Sequence, residues 1–195
     1  MTSSQFPSHR AADLTPELLL AHAKSLLPSG RGNPRTADLR RAISASYYVA
    51  FHQLSKHAAQ CLIQGDDWYS GRLGWSTAHA QVARWITHTD LVGLCEDVVA
   101  LANNSSKPVH PGLAPRGLVD PRLAEVCQSL IDLHSARTDA DYDVMVKPSK
   151  RETVMYTEVA GRLLVLTEQL LREGEASYLR FLALALGARK VAKRR

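Results

Sequence analysis

The fold class is decided by residues 39–54, which read LRRAISASYYVAFHQL. In the wider segment 36–63, apolar residues recur at steps of three or four, as they do along one face of an α-helix. The stripe consists of Leu39, Ile43, Tyr47, Ala50, Leu54, Ala58 and Cys61. A long helix with a single apolar stripe must pack that stripe against other helices. The segment therefore predicts a helical bundle.

Start signals on both sides of this helix predict further helices. Thr15 precedes Pro16 and Asp120 precedes Pro121, which is the pattern of an N-cap residue followed by proline at the first helical position. Ser149 and Glu152 have the spacing of a capping box. Apolar periodicity predicts additional helices at 77–86, 89–101 and 177–186, and strand-like alternation never exceeds a few positions. We predict an all-α, up-and-down bundle of four to five main helices with additional short helices.

Segments rich in glycine or proline, which end helices, divide the chain. Residues 65–76 form a predicted loop, whose two tryptophans are interpreted as a hydrophobic plug on the bundle rather than a stacking platform. Residues 103–121 hold four of the nine prolines and predict a long, mobile loop. The predicted organisation is a disordered N-terminus at 1–14, the bundle at 15–175, and an amphipathic helix with a basic tail at 176–195.

The net charge of +5 is concentrated at one end of the chain. The last nine residues contain five basic residues, and the rest of the chain has 19 basic and 19 acidic residues. Such a tail either attracts phosphates without reading sequence or only aids solubility. The N-terminus lacks the apolar run of a signal peptide, and no apolar stretch approaches the ~20 residues that span a bilayer. We expect a cytoplasmic protein without a membrane partner.

Metal and cofactor motifs are weak in this sequence. The three cysteines lie at apolar helical positions and form no Cys-x-x-Cys pair, so buried structural thiols are expected. Asp139, Asp141 and Asp143 alternate as at the start of a calcium loop, but Val144 and Lys150 replace the required glycine and glutamate. We expect neither a metal nor a cofactor.

Three segments together carry a family resemblance. Residues 39–54 resemble the leading helix of the HEPN superfamily, the higher-eukaryote and prokaryote nucleotide-binding domains. STAHAQVARWI at 76–86 looks like the next family segment, with His79 at its histidine position. ARTDADYD at 136–143 resembles the Arg-x-x-Ala-Asp-Tyr signature of one branch. The resemblance covers about residues 15–175.

This resemblance implies a helical bundle that is often a symmetric dimer. Many HEPN members are metal-independent endoribonucleases, and relatives often pair with a nucleotidyltransferase as toxin with antitoxin or act in phage defence. Their motif is an arginine followed, after four intervening residues, by a histidine. Here the arginine is Arg137 and the histidine position holds Tyr142. A phenol with an ordinary pKa of about 10 is a poor base at neutral pH.

Seven residues are candidates for an RNA-directed site. Arg137 supplies a permanent cation for phosphate, Tyr142 orients the phosphate, and a nearby histidine substitutes for the missing base. The acidic residues that follow Arg137 would also repel RNA phosphates. The catalytic candidates are Arg137, Tyr142, His79 and His134, and the substrate-binding candidates are Arg41, Tyr48 and Asp141.

A second hypothesis assigns these residues a structural role. Arg137 would pair with Asp141, four residues on, and Tyr142 would plug the bundle. Tyr47 and Tyr48 lie on adjacent faces, so one is expected in the core and the other at a cleft or dimer contact. The chain would then be a non-enzymatic dimerisation or docking module, for example for a nucleotidyltransferase.

Overall fold

The computed structural model describes residues 15–27, 34–63 and 77–188. Over these ranges the chain forms seven α-helices and one π-helical turn, and no strand occurs. The elements are α1 (Pro16–Ser25), α2 (Thr36–Leu62), α3 (Thr77–Ala83), α4 (His88–Ala102), α5 (Pro121–Tyr142), α6 (Lys150–Arg172), α7 (Ala176–Ala183) and the π-helical turn Leu184–Ala188. The all-α prediction is confirmed. The predictions for residues 1–14, the two-tryptophan loop and the basic tail lie outside the described residues.

The predicted helix starts are present as side-chain caps. Thr15 accepts a hydrogen bond from the backbone of Leu18, and Asp120 accepts one from the backbone of Arg122. Ser149 and Glu152 form both halves of the capping box. These bonds satisfy backbone N–H groups that the helix itself leaves without partners. α4 begins at His88, one residue before the predicted start, with Thr87 as its N-cap.

α2 is the central helix of the bundle. It packs against α1, α5 and α6, while α4 packs on α5. Tyr47 and Leu54, both from the predicted stripe, are fully buried in the main core. The stripe is therefore covered by three neighbouring helices.

α7 belongs to the same core. Tyr178, Phe181 and Leu182 are fully buried and join the cluster that contains Tyr47. An uncovered apolar face at 177–186 would favour a dimer, as the family resemblance does, but this chain already covers that face. The dimer prediction then depends on the family resemblance alone.

The proline-rich segment before α5 is irregular, as predicted, but it is anchored at several points. Leu113 and Ala114 are buried, and the backbone N–H of His110 donates to the Asp97 carboxylate at 3.3 Å. Gly112 lies against the His110 ring, where an added Cβ would come within 3.1 Å of the imidazole. These anchors correct the expectation of a loop that is mobile along its whole length.

A buried polar network links α2, α6 and α7. The His57 ring lies 2.8 Å from the Tyr178 hydroxyl through Nδ1 and 3.1 Å from the Glu168 carboxylate through Nε2. The amide of Gln53 donates to the same carboxylate at 3.0 Å. His57 and Tyr178 are buried, whereas the Glu168 side chain is 45% exposed. The network joins the bundle core to the surface.

Glu168 makes folding sensitive to acid. The hydrogen bond from His57 lowers the pKa of this carboxyl from 4.5 to about 2, although partial burial opposes the shift. The folded state therefore gains stability that is complete above about pH 4.5 and is lost as the pH falls towards 2. Because the carboxylate is half exposed, we expect this contribution to be about 1 kcal/mol.

The prediction is checked by urea unfolding between pH 2 and 6. Glu168→Gln should remove about 1 kcal/mol of the acid-dependent change in the free energy of unfolding. Glu158→Gln, an exposed position on the same helix, should leave that change as it is in the wild type. Equal acid dependence in wild type and Glu168→Gln would contradict the assignment.

Candidate functional site

Arg137 lies five residues before the C-terminal end of α5 and is held from two sides. Its Nε lies 2.8 Å from the Asp141 carboxylate, and its Nη2 donates to the Tyr48 hydroxyl at 3.2 Å. The Nε contact is an ion pair by distance without the alignment of a hydrogen bond. The Arg137 side chain is 16% exposed, so the guanidinium is mostly enclosed but still reaches the surface. The predicted pairing of Arg137 with Asp141 is confirmed.

Three tyrosine rings surround the guanidinium. Its central carbon lies 5.8 Å from the ring centre of Tyr47, 5.7 Å from that of Tyr48 and 5.4 Å from that of Tyr142. Tyr47 is fully buried, which confirms that one of the two tyrosines packs in the core, whereas Tyr48 is half-buried and its place at a cleft or dimer contact stays a prediction. Tyr142 is 70% exposed, so the interpretation of this residue as a plug in the bundle is wrong. It lies at the last position of α5, beyond the helices that would cover it.

Three histidines lie among these aromatic rings. The His88 ring packs on Phe51 with ring centres 4.0 Å apart, and its Nδ1 lies 2.6 Å from the Tyr47 hydroxyl. The His134 ring meets Tyr47 edge-on at 5.4 Å. We call the whole group the Arg137 cluster; it consists of Tyr47, Tyr48, Phe51, His52, His88, His134, Arg137 and Tyr142.

The environment keeps these histidines uncharged. Burial lowers the pKa of His88 and of His134, and the positive charge of Arg137 lowers each further. Burial alone lowers the pKa of His52. All three imidazoles are therefore neutral near pH 7, the form in which a histidine can accept a proton.

Sequence reasoning named neither His52 nor His88 as a candidate for the site. His52 follows Tyr48 by four residues on α2, so a search for partners one turn away would have found it. His88 begins α4 and reaches the cluster only through the tertiary fold. No local sequence pattern predicts this position. His134 was named among the candidates, and it lies beside Tyr47 and within electrostatic reach of Arg137.

The remaining candidates have different surroundings. Asp141 also accepts a hydrogen bond from the Ser44 hydroxyl at 3.2 Å, which ties it to α2. Arg41 is exposed on α2. His79 is half-buried on α3, and the contacts that define the cluster do not include it. The roles of Arg41 and His79 stay predictions.

Arg40, which is not among the predicted site residues, organises the end of α5. Its guanidinium donates to the backbone carbonyls of Ala140, Asp143 and Val146. The last carbonyls of a helix have no partners within the helix, and a cation is favoured at that end of the helix dipole. Arg40 thereby fixes the turn that carries Asp141 and Tyr142.

Within the described ranges, no group of three or more His, Cys, Asp or Glu side chains is arranged to hold a metal ion. Cys95 and Cys127 are buried, as predicted, and Cys61 is partly buried. None of the described helices is both long and apolar enough to cross a lipid bilayer.

Comparison with protein-family models, curated proteins and solved structures finds no match to this chain. The fold and the cluster define a class by their chemistry: an all-α bundle with a partly exposed arginine among neutral histidines. The HEPN assignment depends on the three quoted segments.

Proposed function

We propose that this chain is an RNA-directed protein of the HEPN type, acting as a metal-independent endoribonuclease in the manner of a toxin or defence effector. One observation carries the proposal: a permanently charged guanidinium reaches the surface among three neutral histidines. RNA cleavage through the 2′-hydroxyl needs a base near neutral pKa and a cation for the phosphate oxygens. The cluster supplies both kinds of group.

The proposed reaction assigns one role to each residue. Arg137 binds the non-bridging phosphate oxygens, since a guanidinium binds phosphate as a fork. His134 takes the proton of the 2′-hydroxyl as the bond from the 2′-oxygen to phosphorus forms. The bond from phosphorus to the 5′-oxygen breaks, and solvent supplies the proton that the leaving oxygen takes. The products are a 2′,3′-cyclic phosphate and a 5′-hydroxyl.

Three further residues are proposed to contact the RNA, and two partner proteins follow from the family resemblance. Tyr142 and Tyr48 contact and orient the substrate beside Arg137, and Arg41 extends the basic surface on α2. The protein is proposed to act in the cytoplasm as a homodimer, with a nucleotidyltransferase as antitoxin. The HEPN resemblance is the basis for the dimer and the antitoxin.

A second candidate function is binding or docking without catalysis. The Asp141 carboxylate already pairs with Arg137 at 2.8 Å, so an RNA phosphate would have to compete with it. This pair favours a dimerisation and docking module, in which Arg137 and Asp141 only stabilise the fold. An RNA or nucleotide binder without cleavage would instead keep the contact between Arg137 and phosphate, and no bond in RNA would be broken.

A cleavage assay in EDTA tests the first candidate. Purified protein should cut structured RNA with EDTA present and leave 2′,3′-cyclic phosphate ends. His134→Ala should slow cleavage by about a hundredfold, the usual minimum for the loss of a general base. His22→Ala, an exposed histidine on α1, should cut like the wild type. Absence of cleavage by the wild type, or unchanged cleavage by His134→Ala, would reject this mechanism.

A further inference from the structure

The Tyr47 hydroxyl and the His88 ring form a short hydrogen bond at the buried side of the Arg137 cluster. The oxygen lies 2.6 Å from Nδ1 of His88. Tyr47 is fully buried, and His88 is the hydrogen-bond partner that the described part of the chain provides for this hydroxyl. A buried hydroxyl that donates to nothing costs about 1–3 kcal/mol. The phenol proton is therefore directed at Nδ1.

The charge states of the two groups agree with this direction. Burial raises the pKa of the Tyr47 phenol far above its ordinary value, so this residue keeps its proton. Burial and the charge of Arg137 lower the pKa of His88, so its ring carries a single proton. A neutral imidazole that accepts at Nδ1 bears its proton on Nε2. His88 also occupies the first position of α4, where the helix dipole disfavours an extra positive charge.

We propose that Tyr47 is a positioning residue that holds His88 as the Nε2–H tautomer, and that His88 and Arg137 together donate hydrogen bonds to one phosphate group. The phosphodiester of RNA is the ligand, so this inference rests on the proposed function. Among the described residues, neither Nε2 of His88 nor Nη1 of Arg137 has a hydrogen-bond partner. Both donors are available to an anion.

The same geometry excludes His88 as a proton donor or base. Transfer of the Nε2 proton would leave an imidazolate unless Tyr47 passed its own proton to Nδ1, and burial opposes the tyrosinate that would result. An Nε2 that already bears a proton cannot accept the proton of a 2′-hydroxyl. His88 binds the anion, and proton transfer is left to His134. The two histidines thus have different tasks in one cluster.

Nitrogen-detected NMR of ¹⁵N-histidine-labelled full chain, with inorganic phosphate as the probe, tests the inference without RNA. His88 should show a protonated Nε2 and an unprotonated Nδ1, and phosphate should shift the Nε2 signal. In Tyr47→Phe, which keeps the buried ring, the two tautomers should mix. His88→Phe keeps the packing on Phe51 and removes the donor, so phosphate affinity should fall about tenfold. His22→Phe is the control at an exposed histidine.

The possible outcomes separate this inference from the proposed cleavage. An Nδ1–H tautomer in the wild type, or a phosphate affinity that His88→Phe leaves unchanged, would overturn it. If phosphate shifts His88 and the wild-type protein cuts no RNA, the anion site stands and the ribonuclease proposal fails. If RNA is cut and phosphate leaves the His88 signals unmoved, the ribonuclease stands and this assignment fails. Melting temperatures of the variants show whether each one is folded.

Discussion

Arg137→Ala is expected to lower the rate of RNA cleavage by a factor of about 100 to 1000, the usual effect of removing one donor that stabilises transition-state charge. The contacts that Arg137 makes predict a loss of stability of about 1.5–4 kcal/mol as well. The ion pair with Asp141 is partly exposed, and such pairs contribute about 0–1 kcal/mol. The contacts over the tyrosine rings contribute about 0.5–1 kcal/mol each at exposed sites. Cleavage rates are therefore compared at a temperature at which Arg137→Ala is still folded, so that loss of activity is measured separately from loss of stability.

Arg137→Lys sharpens this test. Lysine keeps the positive charge beside Asp141 but loses the planar fork that binds two phosphate oxygens at once. If the fork matters, Arg137→Lys should retain the thermal stability and lose most of the cleavage rate. Arg180→Ala, an exposed arginine on α7, is the control for general loss of positive charge. Cleavage rates in EDTA and melting temperatures are measured on the same preparations.

Two results would contradict the proposal. Cleavage by Arg137→Ala at the wild-type rate would remove this site from consideration. A wild-type protein without cleavage, combined with a steep loss of stability in Arg137→Ala, would assign Arg137 to the scaffold of a docking module. The Arg137–Asp141 pair, predicted from the spacing of four residues, would have to open before phosphate could bind Arg137. The cleavage rate and the stability of Arg137→Ala, measured together, decide between the two functions.

Local sequence patterns predicted the helices, because each apolar stripe and each cap is formed by residues that are close together in sequence. The caps at Thr15, Asp120 and Ser149 are examples of such short-range information. α7 was predicted as a helix, but its packing depends on residues far away in sequence. The position of Tyr178 beside His57 could not be read from either segment alone.

The site residues that short-range spacing connects were likewise predictable, and those that only the tertiary fold brings together were not. Asp141 and Tyr48 were named because one is four residues from Arg137 and the other lies on the quoted segment of α2. The hypothesis that Tyr142 is buried as a plug was wrong. Periodicity shows which face of the helix a residue occupies, but it does not show whether a neighbouring helix covers the helix end. His88 meets Tyr47 across 41 positions of sequence, and only the fold brings them together.

Arg40 and Arg41 illustrate how adjacent residues of one type can have opposite roles. Arg40 makes its three hydrogen bonds to carbonyls at and after the end of α5, whereas Arg41 is exposed. Hydrogen bonds to charged groups contribute about 1.5–3 kcal/mol, and loss of the cation also removes the favourable interaction with the helix dipole. We expect Arg40→Ala to lower the free energy of unfolding by about 3 kcal/mol, and Arg41→Ala to change it by less than about 0.5 kcal/mol.

Under conditions where both variants are folded, Arg41→Ala should weaken RNA binding more than Arg40→Ala does. Arg41→Ala should weaken binding and reduce its salt dependence by about one phosphate contact. Arg40→Lys separates charge from geometry, because a single ammonium cannot reach three carbonyls in a fixed fork. Urea unfolding and RNA titrations at several salt concentrations measure both properties. If Arg40→Ala proved as stable as Arg41→Ala, the turn after α5 would need another source of order, and the placement of Asp141 and Tyr142 beside Arg137 would lose its physical explanation.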